Sequence, residues 1–461
     1  MPGETFKVFN PYSGEYVGEV PRLGKTEVDT AVKNAAIGAT RMRGMPAHRR
    51  AAILAKTAEL LTAETESLGR LITREAGKTI RESRAEVLRT AGIFQLAAEE
   101  ARRPNGETIP FDAFPNGEGR TGYWTREPVG IVGAITPWNV PLALAAHKIA
   151  PALAAGNAVL HKPAEQTPLS ALRLAQILYE AGLPVDALQV ITGYGEAGDA
   201  IVTHPDIPFV SFTGSRAVGT QIPGRAGYKR VALELGGNSP VIITPSADLR
   251  DAAIAIVRGG YAVAGQLCIS VQRIIVHEDV KDALIAELLP RIRALITGDP
   301  MNEATDVGTL ISKEACDRVV HEIEEARTAG ATVLAGGQRL GDSLYAPTLL
   351  DNIKIDSRLA REEAFAPLLL LMPYRDWEHA ILLANDTTYG LNAGIFTSHL
   401  REAHLAARDI VAGSVLINDV PTFRSDVMPY GGRKQSGLGR EGVRFAMDEM
   451  TDIKVVCTRL L

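Results

Sequence analysis

The chain has 461 residues, more than one hydrophobic core usually organises, and 46% of them are apolar, enough to bury at least two domains. Its 49 basic and 54 acidic side chains nearly cancel, to a net charge of -5 with no basic block, which excludes a footprint for nucleic acid or anionic lipid. The N-terminus lacks the basic and apolar regions of a secretory signal, so the expectation is a cytoplasmic protein whose three cysteines stay reduced.

In chain order, the longest uncharged apolar run is Val129 to Ala146. Two prolines and an asparagine in its middle argue against a membrane span and predict strand, loop, helix. From there to Gly237, strands VGIVGAIT, NAVLHK, LQVITG, FVSFT and RVALEL alternate with helical patterns LALAAHKIAPALAAG, LSALRLAQILYEAG, AGDAIVTHP and SRAVGTQIPGRAG. Such alternation predicts an α/β fold with a doubly wound parallel sheet. A second alternating series runs from PVIITPS to SVLIND, with helices expected near 248–264, 280–295, 313–328, 377–384 and 402–411. It predicts a second α/β domain, joined to the first by an ordinary loop near Gly236 and Gly237. No repeat of fixed period and no low-complexity linker interrupts the chain.

Two phosphate-type signals follow strands. TGYGEAG places Gly193, Gly195 and Gly198 in a GxGxxG pattern before a helix, but no acidic residue closes a later strand at the expected distance, and this is the third strand of its sheet. FVSFTGSRAVG breaks a strand at Gly214 and opens a helix at Ser215, where free backbone N–H groups and the positive helix end make an anion site. Either could also be an ordinary capped turn.

Seven motifs occur in register: TPWNVP (136–141), KPAEQTP (162–168), FTGS (212–215), ELGGNSP (234–240), GQLC (265–268), EEAFAP (362–367) and PYGGRKQSGLGREG (429–442). In this order and spacing the chain resembles the NAD(P)-dependent aldehyde dehydrogenase superfamily over essentially its whole length. The resemblance implies a Rossmann-type coenzyme domain over 1–107 and 129–236 and an α/β catalytic domain over 237–435. It also implies a small oligomerisation segment over 108–128 and 436–461.

The resemblance also implies roles. Oxidising an aldehyde to an acid needs a soft nucleophile that adds to the carbonyl, and Cys268 matches it. Cys316 and Cys457 match no catalytic motif and read as structural. Asn139 matches the side-chain donor to the oxyanion, although an asparagine before PLALAAHK would also cap a helix. Glu234 matches the general base that draws a proton from water to hydrolyse the thioester. Relatives that acylate coenzyme A commonly lack this base, so hydrolysis is expected. A catalytically silent binding protein of the same fold, or a cysteine hydrolase, would not need the whole set.

For the coenzyme, the family pattern assigns Thr136, Trp138, Lys162, Glu165, Gly214, Ser215, Gly219, Leu235, Glu363 and Phe365. Lys162 and Glu165 hold the adenosine ribose, Gly214 and Ser215 the pyrophosphate, and Glu363 with Phe365 the nicotinamide end. Glu165 accepts from ribose hydroxyls and faces the extra phosphate of NADP, so NAD is expected, with NADP possible. The chain departs from the pattern at Ala364 and Ala366, where larger aliphatic and glycine residues are common, and at Leu267, which removes an anion contact some relatives have. No metal is expected.

Substrate residues are expected at Leu144 and His147, which share a helix face, and at Phe423 and Arg424 before MPYGG. That pattern resembles the lactaldehyde, succinate-semialdehyde and phosphonoacetaldehyde branch, and Arg424 offers a planar fork to a carboxylate or phosphonate. Alternatively Arg424 pairs with Asp426 or Asp419 and His147 merely packs. The segment 119–130 and the C-terminal tail read as edge strands that match subunit-bridging elements, so a homodimer or homotetramer is expected.

Overall fold

The computed structural model describes residues 4–103 and 106–460. The chain opens with a hairpin of β1 (Thr5–Phe9) and β2 (Tyr16–Pro21), followed by helices α1 (Lys25–Gly44), α2 (Ala47–Ala63), α3 (Thr65–Ala76) and α4 (Ile80–Glu100). The alternation then begins. Strands β5 (Ile131–Ile135), β6 (Ala158–Lys162), β7 (Leu188–Val190), β8 (Phe209–Thr213) and β9 (Arg230–Glu234) form a parallel sheet in the order β9-β8-β5-β6-β7. Every residue of β5, β6 and β8 is buried, as expected of strands covered on both faces.

Two separate cores cover those faces. On one side α2, α4, α5 (Pro141–Ala155) and α6 (Pro168–Glu180) pack around Phe94, Leu142 and Leu174. On the other, α1 and α7 (Gly195–Thr203) pack around Val32, Leu160 and Ile201. Connections from β5 lead first to β6 and β7 on one flank, then to β8 and β9 on the other. The strand order therefore reverses at β5 and β8, where open α/β sheets leave a crevice beyond the carboxyl ends.

The run from Val129 resolves as expected into strand β5, a loop and α5, and among the described residues no helix is long and apolar enough to cross a membrane. One predicted helix is broken. The stretch SRAVGTQIPGRAG forms two short helices, α8 (Arg216–Gly219) and α9 (Ile222–Ala226), because Pro223 fits a first helical turn but cannot continue a preceding helix.

Over residues 235–238 the chain crosses to a seven-stranded sheet, built from β10 (Ser239–Ile243), β11 (Val271–His277), β12 (Thr332–Ala335), β13 (Thr348–Asp351), β14 (Leu368–Tyr374), β15 (Asn392–Phe396) and β16 (Ser414–Ile417). Its order is β12-β13-β14-β11-β10-β15-β16, parallel except for the β12 edge. A two-residue strand, β17 (Gly437–Leu438), returns antiparallel to β9 and so ties the chain's end to the first sheet. Between β10 and β11 lies α10 (Leu249–Tyr261), inside its expected span.

The third sheet joins β3 (Gly106–Thr108), β4 (Arg120–Pro128) and β18 (Thr451–Arg459). The two segments read as unpaired edges pair with each other, antiparallel, from Arg120 with Arg459 to Pro128 with Thr451. Among the described residues no strand pairs with the outer edge of β18, where Ile453 and Val455 are exposed. The tail's last residue, Leu461, lies outside the described residues.

Candidate functional site

Cys268 stands in the loop that enters β11, half-buried, and the backbone before it is held in an unfavourable turn. Val263, Ala264 and Gly265 have φ of 51°, 53° and 70° in succession. The left-handed region costs a non-glycine residue about 1 to 2 kcal/mol, so the surroundings must over-determine this turn. Glu82 accepts from the Val263 N–H at 2.7 Å. The buried Gln266 amide donates to the Val263 and Thr309 carbonyls, each at 3.0 Å, and accepts from Ile311 N–H at 3.0 Å. Gly265 must be glycine, because a methyl there would lie 1.9 Å from the Ala366 carbonyl oxygen.

Asn139 and Glu234 come to the same place from the carboxyl ends of β5 and β9. One Asn139 amide hydrogen is held by the Gln266 carbonyl at 2.8 Å, which fixes the side chain and leaves its second hydrogen for another acceptor. Buried Glu86 accepts from Leu142 and Ala143 at the start of α5, at 2.8 and 3.1 Å, and anchors the loop that carries Asn139. Glu234 is buried, with its Oε2 bonded to nothing among the described residues. Its Oε1 lies against Gly431, where a methyl would be 2.9 Å away. Burial and the neighbouring Glu441 carboxylate hold Glu234 well above the usual carboxylate range.

The Cys268 sulfur lies 3.3 Å from the Tyr430 hydroxyl. Burial pushes the thiol up to about 12; Tyr430 and Arg424 work against that rise, while the Glu363 and Glu234 carboxylates add to it. Free Cys316 is buried in a packed cluster and free Cys457 is exposed on β18, away from this machinery.

At the strand reversal lies a cleft of about 510 Å³, lined by Thr136, Trp138, Lys162, Glu165, Gly214 and Ser215. Lys162 reaches Glu165 at 3.5 Å, and burial lowers the lysine below its ordinary value. Among the described residues Thr213 Oγ1 and Gln166 Oε1, buried on the same wall, have no hydrogen-bond partner, so the cleft holds hydrogen-bonding capacity that those residues do not satisfy. Helix α8 is a single turn capped by Ser215, so the N–H groups of that turn, and not a long macrodipole, offer the anion contact. Gly195 and Gly198 of the GxGxxG motif also line the cleft, while Gly193 packs against the Leu23 carbonyl. Thr136 Oγ1 is committed to His161 at 2.9 Å.

The other coenzyme candidates stand outside that wall. Gly219 packs on Leu235, and Phe365, at φ 47°, meets Trp138 edge to face with centroids 5.5 Å apart. Glu363 accepts from Gly237 N–H at 3.1 Å, its carboxylate pressed against Gly236, and burial lifts it to about 7. The paired glycines of ELGGNSP are thereby explained: one admits Glu363, the other the Cys268 carbonyl.

The substrate candidates meet a buried charge network. The Arg424 side chain, 6% exposed, pairs with Glu441 at 3.1 Å and lies 3.9 Å from Asp426, one of the two aspartates expected to pair with it. Its guanidinium carbon sits 3.7 Å over the Tyr430 ring, and its Nε is buried without a hydrogen-bond partner among the described residues. Asp426 also takes Arg89 at 2.6 Å and His147 at 3.2 Å. Despite burial, those two donors hold Asp426 well below the usual carboxylate range, whereas burial lowers His147 to about 4 and keeps it neutral. Glu441 is completed by Lys148 at 2.9 Å. Leu144 is half-buried on the same helix as His147, and Phe423 is exposed.

Tyr430, Arg89, Gln266, Lys148 and Glu441 were not singled out from the sequence. The first lies inside the quoted PYGG motif and Glu441 near its end, but nothing local to those residues reveals their partners. Residues 1–456 match the aldehyde dehydrogenase family. The aspartate-semialdehyde dehydrogenase 1 of Pseudomonas canavaninivorans is 44% identical over 99% of this chain and 97% of its own. The 3-sulfolactaldehyde dehydrogenase of Priestia aryabhattai is 42% identical over 99% of this chain and 95% of its own. Among solved structures, glyceraldehyde-3-phosphate dehydrogenase from Methanocaldococcus jannaschii, complexed with NADP, superposes with a TM-score of 0.95 at 40% identity and covers 98% of both chains.

Proposed function

The chain belongs to the aldehyde dehydrogenase family, and we propose that it oxidises a small aldehyde carrying an anionic group to the carboxylic acid by way of a hydrolysed thioester. The observation that carries the anionic substrate is the buried Nε of Arg424, which has no hydrogen-bond partner among the described residues and only the Asp426 carboxylate at 3.9 Å, with the guanidinium over the ring of the tyrosine that touches Cys268. A guanidinium donor left open beside a nucleophile is satisfied by a carboxylate, sulfonate or phosphate. The three relatives named above act, by their names, on aldehydes bearing one of each.

In this reading the Cys268 thiol gives its proton to the Glu234 carboxylate and its sulfur bonds to the aldehyde carbon. The carbonyl electrons move to oxygen, where the second Asn139 amide hydrogen and the Cys268 backbone N–H receive the charge. NAD(P), an aldehyde dehydrogenase coenzyme that fits the cleft of Lys162 and Glu165, supplies the hydride acceptor when bound. Once the thiol proton has passed on to solvent, Glu234 takes a proton from water at its free Oε2, so that hydroxide adds to the thioester, the sulfur leaves as thiolate and the acid is released. We take residues 1–107 and 129–236 as the coenzyme domain, 237–435 as the catalytic domain and the β4–β18 sheet as the oligomerisation element. The open β18 edge favours a dimer or tetramer, which a monomer by light scattering would overturn. A reducing cytoplasm suits a free catalytic thiol; finding the chain exported by fractionation would overturn that placement.

The decisive experiment is a pair of variants. Cys268→Ala should abolish NADH formation from any aldehyde while coenzyme still binds. Glu234→Gln should give one burst of NADH and then stall. Steady turnover of Glu234→Gln at the wild-type rate would remove Glu234 from the hydrolytic role.

A further inference from the structure

Tyr430 occupies a position that the reaction just described leaves without a task. Its ring is buried among Ile269 and Leu391, and its backbone is tied to Glu441 by two hydrogen bonds, Tyr430 N–H to Glu441 O at 3.0 Å and the reverse at 2.7 Å. That ladder leaves the hydroxyl little freedom, and its end is 3.3 Å from the Cys268 sulfur. The Arg424 guanidinium covers the ring at 3.7 Å, a cation stack in a site shielded from water. The next residue, Gly431, lies against Glu234. One turn of chain therefore touches the nucleophile, the base and the anion-reading arginine.

The geometry points to Tyr430 as a further catalytic residue, whose hydroxyl donates to the Cys268 sulfur and stabilises the attacking thiolate, with Arg424 polarising the phenol from over the ring face. The assignment rests on Cys268 being the nucleophile. A thiolate only accepts, and burial holds the Tyr430 phenol well above its ordinary value, so the phenol keeps its proton and donates. In the balance of the step Tyr430 moves no proton: the thiol proton goes to Glu234, the S–C bond forms, and the hydroxyl only shares its hydrogen with sulfur until the negative charge passes to the carbonyl oxygen. The contact is needed because burial and the Glu234 and Glu363 carboxylates oppose ionisation of Cys268, with Arg424 and Tyr430 on the other side of the balance.

The test is the rate at which iodoacetamide alkylates Cys268 in the coenzyme-free enzyme as pH is raised, read by mass spectrometry of the peptide that carries it. Tyr430→Phe keeps the ring under Arg424 and removes only the donor. Loss of a hydrogen bond to a charged group should slow alkylation at mildly alkaline pH by about 10 to 100-fold and move the midpoint to higher pH. Replacing Tyr430 site-specifically by 3-fluorotyrosine, a more acidic phenol of nearly the same size, should move the midpoint the other way, a readout that packing alone would not shift. Wild-type rates and midpoints in both proteins would overturn the assignment. If alkylating Cys268 leaves NADH formation intact, the nucleophile itself is misassigned; if alkylation abolishes NADH formation and Tyr430→Phe behaves as wild type, only the role of Tyr430 falls.

Discussion

Gly237 lies directly against the Cys268 backbone, so close that a methyl on Gly237 would stand 2.2 Å from the Cys268 carbonyl oxygen. Backbone cannot swing aside as a side chain can. Gly237→Ala should therefore displace the nucleophile and cut kcat by about 100-fold, the cost of roughly 1 Å of misplacement. Gly219→Ala, whose new methyl would meet only the Leu235 side chain, should cost much less. Equal kcat losses in the two variants would show that the Cys268 loop absorbs the clash.

Asn139, the proposed oxyanion donor, is held by the Gln266 carbonyl. Asn139→Ala should lower the burst rate of NADH formation by about 100 to 1,000-fold, the range for a lost oxyanion donor. Because the same amide holds the Gln266 loop, the thermal midpoint should also fall. A full burst rate with a lowered midpoint would reduce Asn139 to a structural tie.

Arg89 tests whether the network around Arg424 reads the substrate's charge. Arg424 also stacks on Tyr430 and neutralises Glu441, so Arg424→Ala should impair neutral aldehydes as well as anionic ones, and the anionic ones more. Among the described residues of this cluster Arg89 bonds to Asp426 and His147. Arg89→Gln should raise KM for an anionic aldehyde by about 10-fold, the scale of one charge-assisted contact, and leave propanal nearly unchanged. Identical effects on the two substrates would deny Arg89 any part in reading charge.

Glu165 lines the cleft wall beside Lys162, and coenzyme preference should turn on it. Like charges at ~4 Å cost up to ~4 kcal/mol at an effective dielectric near 20, so NAD should be favoured over NADP. Glu165→Gln should narrow the gap in kcat/KM chiefly by improving NADP. Equal efficiency with both coenzymes in the wild type would mean that Glu165 swings clear of the extra phosphate.

The pH profile should carry the signature of Glu234. Its folded value is raised by burial and by Glu441, so the base is protonated and idle at low pH, and turnover should climb as pH rises through that raised value. Glu441→Gln removes the repelling charge and leaves Lys148 and Arg424 to favour the Glu234 anion, so the acidic limb should move to lower pH. An acidic limb unmoved in Glu441→Gln would assign it to another group.

Much of this protein is written locally. The strands from Ile131 to Glu234 and their intervening helices follow from hydrophobic periodicity, a property of neighbours in sequence. Parallel pairing follows from the alternation, since only a crossover helix returns the chain to the same end of a sheet. Cys268, Asn139 and Glu234 were legible because each sits in a motif of fixed local spacing, and the structure brings their loops together beside the sheet's carboxyl edge. What lay beyond the sequence depends on long-range register. Gly219 packs on Leu235, and β4 finds β18 rather than solvent. Above all, Arg424, Glu441, Lys148, Asp426, His147 and Arg89 each read as an ordinary charged or polar side chain in their own segments. Only the approach of α4, α5 and the chain's end places them in one buried network, where low dielectric and mutual pairing, not residue type, decide which charge is neutralised and which donor remains open for a ligand.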